Sequence, residues 1–320
     1  MNTFLKLARV ATVLCLCVVI LGAWVRLTDA GLGCPDWPGC YGELIVPADP
    51  GSAAAWPERP LDSGKAWREM IHRYAAGTLG MLVLALAWIS WRRRHQPGQP
   101  VALSTFLLVL IVFQALLGMW TVTLLLKPVV VMSHLMGGMA TLAILFWLAR
   151  QPVPLAPMAD PGLRRFALLG LIVLSLQIAL GGWVSTNYAA LACPDLPTCQ
   201  GRYWPPMDFI TGFDPWHGIG IDYEGGILNN AARVAIHFTH RVGAVVTAIV
   251  LGLLAWRAGR HPGLKQAALW LAVMLVTQLA LGLVMVATQL PLSLATAHNG
   301  VAALLLLSVV NLNRMVRYEN

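Results

Sequence analysis

Four histidines of this chain recur in pairs at matching places of an internal repeat, and imidazole is a common metal ligand. His72, in HRYAAG, matches His240, in HRVGAV, and His134 matches His298. All four are expected within the first two or three turns of apolar helices, where an ionisable side chain is costly and indicates function. Two neutral imidazoles facing each other across a helix bundle can ligate a haem iron. We therefore predict two haem sites, with proton relay or structural pairing as the alternative.

Glu69 marks the position at which the two copies of the repeat differ. The first copy reads EMIHR, with Glu69 three residues before His72, whereas the second reads HFTHR, with His237 in the Glu69 position. Residues three apart share one face of a helix, so Glu69 should reach the cavity of His72 and there move protons or stabilise positive charge. This predicts chemistry in the first copy and electron transfer in the second. A glutamate that merely faces water is the alternative.

An arginine follows the histidine on the second helix of each copy. These residues are Arg73 and Arg241. A guanidinium beside a haem ligand at the membrane edge can pair with a propionate, since it binds carboxylates well. The alternative is an arginine that anchors its helix at the lipid headgroups.

Two ten-residue loops, GLGCPDWPGC at 31–40 and ALACPDLPTC at 190–199, carry one cysteine pair each. An oxidising outer compartment favours the disulfides Cys34–Cys40 and Cys193–Cys199. A small ring can also be redox-active, so thiol exchange is the alternative for the first pair. The second pair is expected to be structural. Zinc is a weaker option, because no histidine lies at ligand spacing in these loops.

The elements that must position these residues are membrane-spanning helices. The chain of 320 residues is 58% hydrophobic and 11% charged, whereas soluble domains are about 25% charged. Crossing a bilayer takes roughly 20 apolar residues. Eight such runs are predicted, at 8–27, 67–90, 102–124, 130–149, 165–186, 229–256, 266–288 and 293–313.

The first four predicted spans repeat as the last four. LGAWVRLTDAGLGC from Leu21 aligns without a gap with LGGWVSTNYAALAC from Leu180, and QALLG at Gln114 matches QLALG at Gln278. Because each unit has an even number of spans, the copies should be parallel and related by an axis along the membrane normal. We expect an all-α membrane protein of two tandem four-helix bundles with pseudo-twofold symmetry, over residues 1–150 and 151–320.

The placement of charge predicts the orientation in the membrane. Basic residues gather in the N-terminal segment, in WRRRH, around Arg150 to Arg165, around Arg257 to Lys265 and in the tail, whereas acidic residues populate the opposite loops. The positive-inside rule places both termini in the cytoplasm and the cysteine loops in the periplasm. The net charge of +8 then reflects topology, and no nucleic-acid surface is expected. No cleavage site precedes the first span, so we expect a multi-pass protein of the bacterial inner membrane.

The motifs EMIHR, SHLMGG, THR and AHNG, each at the start of a span, together with two cysteine-pair loops in a duplicated eight-helix chain, resemble the haem A synthase family. The resemblance covers essentially the whole chain. It implies oxidation of the C8 methyl of haem O to the formyl of haem A, which serves the terminal oxidase. It also implies a haem O synthase as the supplier of the substrate.

The resemblance further implies the roles of individual residues. Haem b, the cofactor, would lie between His240 and His298 in the C-terminal bundle, and the substrate haem O between His72 and His134 in the N-terminal bundle. Glu69 would be the essential acid. The first cysteine pair is implied to matter for activity.

The main alternative is a bis-histidine cytochrome b that passes electrons between quinone and a periplasmic partner. It accounts for the four histidines but not for a glutamate in one copy only. A haem exporter or thiol-exchange protein is weaker, because the chain has no nucleotide-binding motif. The sequence identifies no electron acceptor and assigns no role to His237.

Overall fold

The computed structural model describes residues 3–150 and 160–317, and within them it is built from helices. Eight helices in this part of the chain are long and apolar enough to cross a membrane, which confirms the eight predicted spans. They are α1 (Thr3–Leu27), α2 (Ser63–Arg92), α3 (Val101–Thr123), α4 (Pro128–Leu148), α5 (Pro161–Thr186), α7 (Asn230–Gly259), α8 (Lys265–Ala287) and α9 (Leu292–Met315). A single-turn helix, α6 (Phe209–Gly212), lies between α5 and α7.

Several helices begin earlier than the apolar runs that predicted them. The side chain of Asp62 accepts the N–H of Lys65 at the start of α2, and Asp160 accepts the N–H of Leu163 at the start of α5. Such caps satisfy backbone donors that have no partner inside the helix. The helix therefore starts at its cap, about one turn before the apolar stretch.

The helices form two compact units, each a closed ring of four long helices. The first contains the chain up to Ala149 together with Pro215–Ile227, and the second contains Arg150–Asp214 and the chain from Leu228 onward. In the first unit α1 and α3 both pack against α2 and α4; in the second, α5 and α8 both pack against α7 and α9. This shared order of neighbours is consistent with a duplication.

The segment Pro215–Ile227, here called the strap, follows α6 in the chain but packs on the first unit. Tyr223 is only 1% exposed and joins Leu32, Val122 and Leu126 in one buried cluster. Its backbone N–H donates to the carbonyl of Leu125 at 3.0 Å. The strap is therefore part of the first unit's core.

Charged side chains of the first unit also contact the strap near both of its ends. Near its end, Arg59 contacts Asp222 at 2.5 Å and Glu224 at 2.7 Å. Near its start, Lys127 is 2% exposed, and its Nζ lies 3.1 Å from the centroid of the Trp216 ring. A buried ammonium needs such a partner, and this one also donates to a strap carbonyl at 2.9 Å.

Candidate functional site

Each of the four candidate histidines lies against a glycine of the neighbouring helix in its own unit. A Cβ added to that glycine would lie at 2.9–3.4 Å from the histidine Cε1. The pairs are His72–Gly22 (2.9 Å), His240–Gly181 (3.1 Å), His134–Gly118 (3.4 Å) and His298–Gly282 (3.3 Å). Protein interiors are close-packed, so the missing side chain provides the space in which the imidazole lies.

The ring nitrogens fit a ligating role. Nδ1 of His72, His134 and His298 is buried and has no hydrogen-bond partner among the described residues. Buried polar atoms are normally paired, and a neutral imidazole nitrogen can bind a metal through its lone pair. The two histidines of each unit are also close enough to interact electrostatically.

The number of available ligands favours haem over a bare metal ion. Within residues 3–150 and 160–317, no group of three or more His, Cys, Asp or Glu side chains could hold a metal ion. A structural zinc ion takes four protein ligands, whereas haem iron receives four nitrogens from the porphyrin and needs only axial ligands from the protein. Two imidazoles per unit therefore fit a haem.

Glutamine side chains also reach three of these histidines. Nε2 of Gln177 lies 3.0 Å from His240 Nδ1 and donates to the backbone carbonyl of the same residue. The second unit has another such contact, from Gln278 Nε2 to His298 Nε2 at 3.1 Å. In the first unit, Gln114 donates to the backbone carbonyl of His134 at 2.9 Å. The Gln-x-x-x-Gly spacing at Gln114, Gln177 and Gln278 was the sequence signal for these contacts.

Glu69 is buried and connects α2 to the first cysteine loop. Its Oε2 accepts the N–H of Cys34 at 2.9 Å, and its Oε1 lies 2.5 Å from Arg73 Nη2. Both carboxylate oxygens therefore have charge-assisted or backbone partners, as a buried carboxylate requires. That Glu69 shares a cavity with His72 stays a prediction.

The side chain of Arg73 binds backbone carbonyls of the first cysteine loop. Nη1 of this guanidinium donates to the carbonyls of Asp36 at 2.9 Å and Gly39 at 2.5 Å. Arginine carries five N–H donors, and these contacts together with Glu69 use most of them. This loop-binding role was not predicted, and the role of Arg73 as a propionate partner stays a prediction.

Arg241 makes the corresponding contacts in the second unit. It donates to the carbonyls of Asp195 and Thr198, both at 2.9 Å, and of Cys193 at 2.6 Å. The recurrence of an arginine directly after His72 and His240, in two units that each have a cysteine loop, was the available signal. A propionate role for Arg241 likewise stays a prediction.

His237 takes the structural place of Glu69 in the second unit. Its Nδ1 lies 3.3 Å from the backbone nitrogen of Cys193, and its Nε2 lies 3.3 Å from Arg241 Nε. The sequence assigned it no role. The structure gives it the same two kinds of partner as Glu69, without the negative charge.

Both predicted disulfides are formed. Cys34 and Cys40 are bonded with their Cα atoms 4.8 Å apart, and Cys193 and Cys199 with theirs 4.5 Å apart. The four sulfurs are therefore not available as zinc thiolates.

An aspartate in each cysteine loop accepts the backbone N–H groups of the two residues that follow the loop. Asp36 accepts the N–H groups of Tyr41 and Gly42, at 2.7 and 2.8 Å. Asp195 accepts the amides of Gln200 and Gly201 in the second loop. The hydroxyl of Thr198 also donates to Asp195, and these hydrogen bonds hold the pKa of its carboxyl below the usual value. The CPD motif of both loops therefore supplies a cysteine and a loop-bracing carboxylate.

Comparisons with known proteins cover almost the whole chain. The COX15-CtaA family model, described as cytochrome oxidase assembly protein, matches residues 6–310. The chain is 44% identical over 322 residues to the haem A synthase of Shewanella oneidensis, covering 98% of this chain and 97% of that protein. It is 29% identical to the haem A synthase of Bradyrhizobium diazoefficiens, covering 98% and 91%. With that of Alkalihalophilus pseudofirmus the identity is 26%, covering 93% and 92%.

Proposed function

The chain belongs to the COX15-CtaA family of cytochrome oxidase assembly proteins, and we propose that it is a haem A synthase, a membrane oxidoreductase of haem biosynthesis. The likeness to the Shewanella oneidensis haem A synthase over nearly the full length of both chains carries this proposal. The reaction we propose is oxidation of the C8 methyl of haem O to the formyl of haem A.

The chemistry defines what the protein must provide. Conversion of a methyl to a formyl group consumes one water and releases four electrons and four protons. The protein must therefore hold the porphyrin, direct an oxygen source to one methyl, accept protons and remove electrons. The two units allow these tasks to be divided, with oxidation of the substrate in one unit and electron transfer in the other.

In the proposal, haem O lies in the first unit between His72 and His134. Glu69 is the acid–base group, because it is the carboxylate that the first unit has and the second lacks. Its position in α2, one turn from His72, supports a role in proton transfer from the attacking water or in stabilising positive charge at the methyl carbon. Arg73, paired with Glu69 at 2.5 Å, holds the carboxylate in a fixed position in α2.

In the second unit, His240 and His298 would hold a haem b, which supplies one-electron transfer when bound. This chain's own residues, His240 and His298, would hold the group from two facing helices. His237, in place of Glu69, keeps the loop contact without adding a negative charge beside that site.

The proposed setting is the bacterial inner membrane, with both termini in the cytoplasm and both cysteine loops in the periplasm. The eight spans support the membrane location, and the distribution of basic residues supports the orientation. A haem O synthase is the proposed supplier of the substrate. We propose no electron acceptor.

Pigment extraction tests this function. The full chain is expressed in a host that makes haem O and lacks its own haem A synthase, and the extracted haems are identified by chromatography and pyridine haemochrome spectra. We expect formyl haem with the intact chain and with the exposed control His95→Ala, and none with His72→Ala. A coloured protein that never yields formyl haem would instead support the bis-histidine electron carrier.

A further inference from the structure

A groove of about 670 Å³ runs between α7 and α8, at the end of the second unit where α7 ends and α8 begins. Small residues line it, among them Gly252, Gly259 and Ala272, and the exposed side chains of Trp256 and Leu269 border it. A Cβ added to Gly252 would meet no atom within 4 Å, so the space beside this glycine is open. The groove has the volume of a ligand site and opens to the surface of the unit.

Two cations lie at one end of this groove. Arg260 directly follows α7 and Lys265 is the first residue of α8; both side chains are exposed and line the groove. Neither forms an ion pair with a carboxylate in the described part of the chain, because Asp160 contacts Arg257 at 3.2 Å and His261 at 3.7 Å instead. The end of the groove is therefore positively charged and open to an anion.

The matching positions of the first unit hold larger or uncharged residues. With His72 aligned to His240 and Gln114 to Gln278, the first unit has Leu84 for Gly252, Trp91 for Gly259, Leu108 for Ala272 and Val101 for Lys265. The Nε1 of Trp91 donates to Thr105 Oγ1 at 2.9 Å, so this ring bridges α2 and α3. The small residues and the lysine are therefore particular to the second unit.

The length of the groove matches one leaflet of a bilayer. From Lys265 to Val276 it follows α8 for eleven residues, which is about 16 Å at 1.5 Å per residue. Half of a hydrocarbon core about 30 Å thick is about 15 Å. An acyl chain that starts at the two cations would therefore end near the middle of the membrane.

The combination of charge and apolar lining favours a lipid over another protein helix. Small residues can bring two membrane helices together, but a helix placed here would leave Arg260 and Lys265 without a carboxylate. An anionic phospholipid provides both a phosphate for the cations and a chain for the apolar part. Basic pockets between spanning helices on the cytoplasmic side bind such headgroups.

We propose that this groove binds an anionic phospholipid, with its phosphate between Arg260 and Lys265 and one acyl chain along Gly252 and Ala272. In the proposed orientation the lipid belongs to the cytoplasmic leaflet. The inference goes beyond the proposed function, because it requires only that α7 and α8 span a membrane. It assigns the second unit a lipid site separate from its candidate haem ligands.

Native mass spectrometry tests the headgroup contacts. The purified full-length protein in detergent is titrated with phosphatidylglycerol, and separately with phosphatidylcholine of the same acyl chains. We expect preferential binding of phosphatidylglycerol, weakened about fivefold by Arg260→Gln or Lys265→Gln and about 25-fold by the double variant. Arg92→Gln is the matched control, because Arg92 lies over Trp88 as Arg260 lies over Trp256. It should bind phosphatidylglycerol with the parental affinity.

A second variant tests the acyl-chain contact without removing charge. Gly252→Leu copies Leu84 of the first unit and extends into open space, so the fold should tolerate it. We expect it to weaken phosphatidylglycerol binding about tenfold, because the leucine overfills the groove when the chain is present. Phosphatidylglycerol should raise the thermal unfolding midpoint of the parent protein more than that of Gly252→Leu. Gly77→Leu, at an exposed glycine of α2 that also has no atom near its Cβ position, should behave as the parent.

Four results would overturn the proposal. They are equal affinity of the parent and the Arg260→Gln/Lys265→Gln variant for phosphatidylglycerol, equal binding of phosphatidylcholine, displacement of the lipid by equimolar inorganic phosphate, and a dimer that Gly252→Leu converts to a monomer. The third would identify a free anion as the ligand, and the fourth would assign the groove to a second copy of the chain. Weaker lipid binding in the double variant and in Gly252→Leu, with both controls unchanged, supports it.

Discussion

Glu69 and Arg73 form a buried ion pair, with Oε1 and Nη2 2.5 Å apart, where the first cysteine loop meets α2. The carboxylate also accepts the N–H of Cys34, so the residue proposed as the acid is part of the loop's attachment as well. Its second-unit counterpart, His237, makes the same attachment without a charge. A substitution at this position can therefore remove the proposed acid–base group and still keep a contact with the cysteine loop.

Substitution of Glu69 should abolish haem A formation and leave the bound haem b in place. We expect Glu69→Gln and Glu69→His to lower haem A formation by about 100-fold or more, because a positioned acid–base group typically contributes that much. Glu69→His copies the residue of the second unit and keeps a polar ring beside Cys34 and Arg73. The measurements are extracted haem A and the b-type absorbance spectrum. Normal haem A formation by Glu69→His would exclude the acid–base role.

Loss of either loop-binding arginine should destabilise the protein, and more so in the first unit. Arg73→Leu leaves the buried Glu69 carboxylate without its cation, which typically costs about 3–5 kcal/mol. Arg241→Leu leaves only neutral partners, so we expect about 1–3 kcal/mol. Thermal unfolding in detergent measures both. The double variant Glu69→Gln/Arg73→Leu should recover part of the loss, and equal losses from the two single variants would contradict this account.

A methyl group on the contact glycines should displace the candidate ligands. A Cβ at Gly22 would lie 2.9 Å from His72 Cε1, and one at Gly181 would lie 3.1 Å from His240 Cε1. We expect Gly181→Ala to lower the ratio of haem b to protein and Gly22→Ala to lower haem A formation. Gly77→Ala and Gly252→Ala are matched helical controls, because a Cβ at either glycine would meet no atom within 4 Å. A normal haem content in Gly181→Ala would contradict this prediction, because it would show that the His240 ring can move without loss of haem.

The strap should be fixed mainly by Tyr223 and only weakly by its ion pairs. Truncation of a large buried aromatic side chain costs about 3–5 kcal/mol, so Tyr223→Ala should expose the strap to limited proteolysis. Arg59→Ala removes partly exposed pairs, each worth about 1 kcal/mol or less, and its effect should shrink at high salt. Tyr203→Ala, at a 77% exposed site, is the control. Protection of the strap in Tyr223→Ala would disprove its anchoring role.

The two disulfides can be compared to decide between structural and thiol-exchange roles. Closing so small a ring is worth about 2 kcal/mol, and we expect Cys34→Ser/Cys40→Ser and Cys193→Ser/Cys199→Ser to lose similar stability. Unfolding midpoints and haem A formation are measured together. If the first pair exchanges thiols, its double variant loses haem A formation while the second one keeps it. Parallel behaviour of the two variants assigns both bonds a structural role.

Much of the fold could be predicted because membrane spans are encoded locally. A run of about 20 apolar residues must cross the bilayer as a helix, since the backbone has no other way to satisfy its polar groups in lipid. The helix starts were less accurate, because Asp62 and Asp160 cap their helices in the polar segments before the apolar runs.

The candidate histidines could be found in the sequence because they recur in both copies of the repeat. The contacts made around them in the fold could not be predicted from the sequence. The donors of Arg73 and Arg241 bind carbonyls more than thirty residues away in sequence, and no local pattern encodes such a contact. Gln177 illustrates the same point: its spacing from Gly181 is visible in the sequence, but its contact with His240 depends on how α5 packs against α7.

The burial of Tyr223 beside Leu32 and Val122 has a consequence for biosynthesis. Chains emerge from the ribosome N-terminus first, and the first four spans are complete long before residue 223 is translated. Their core nevertheless lacks one of its largest side chains until then. The loops that follow α1 and α3 in the nascent first bundle therefore lack this packing partner while α5 and the second cysteine loop are still being made.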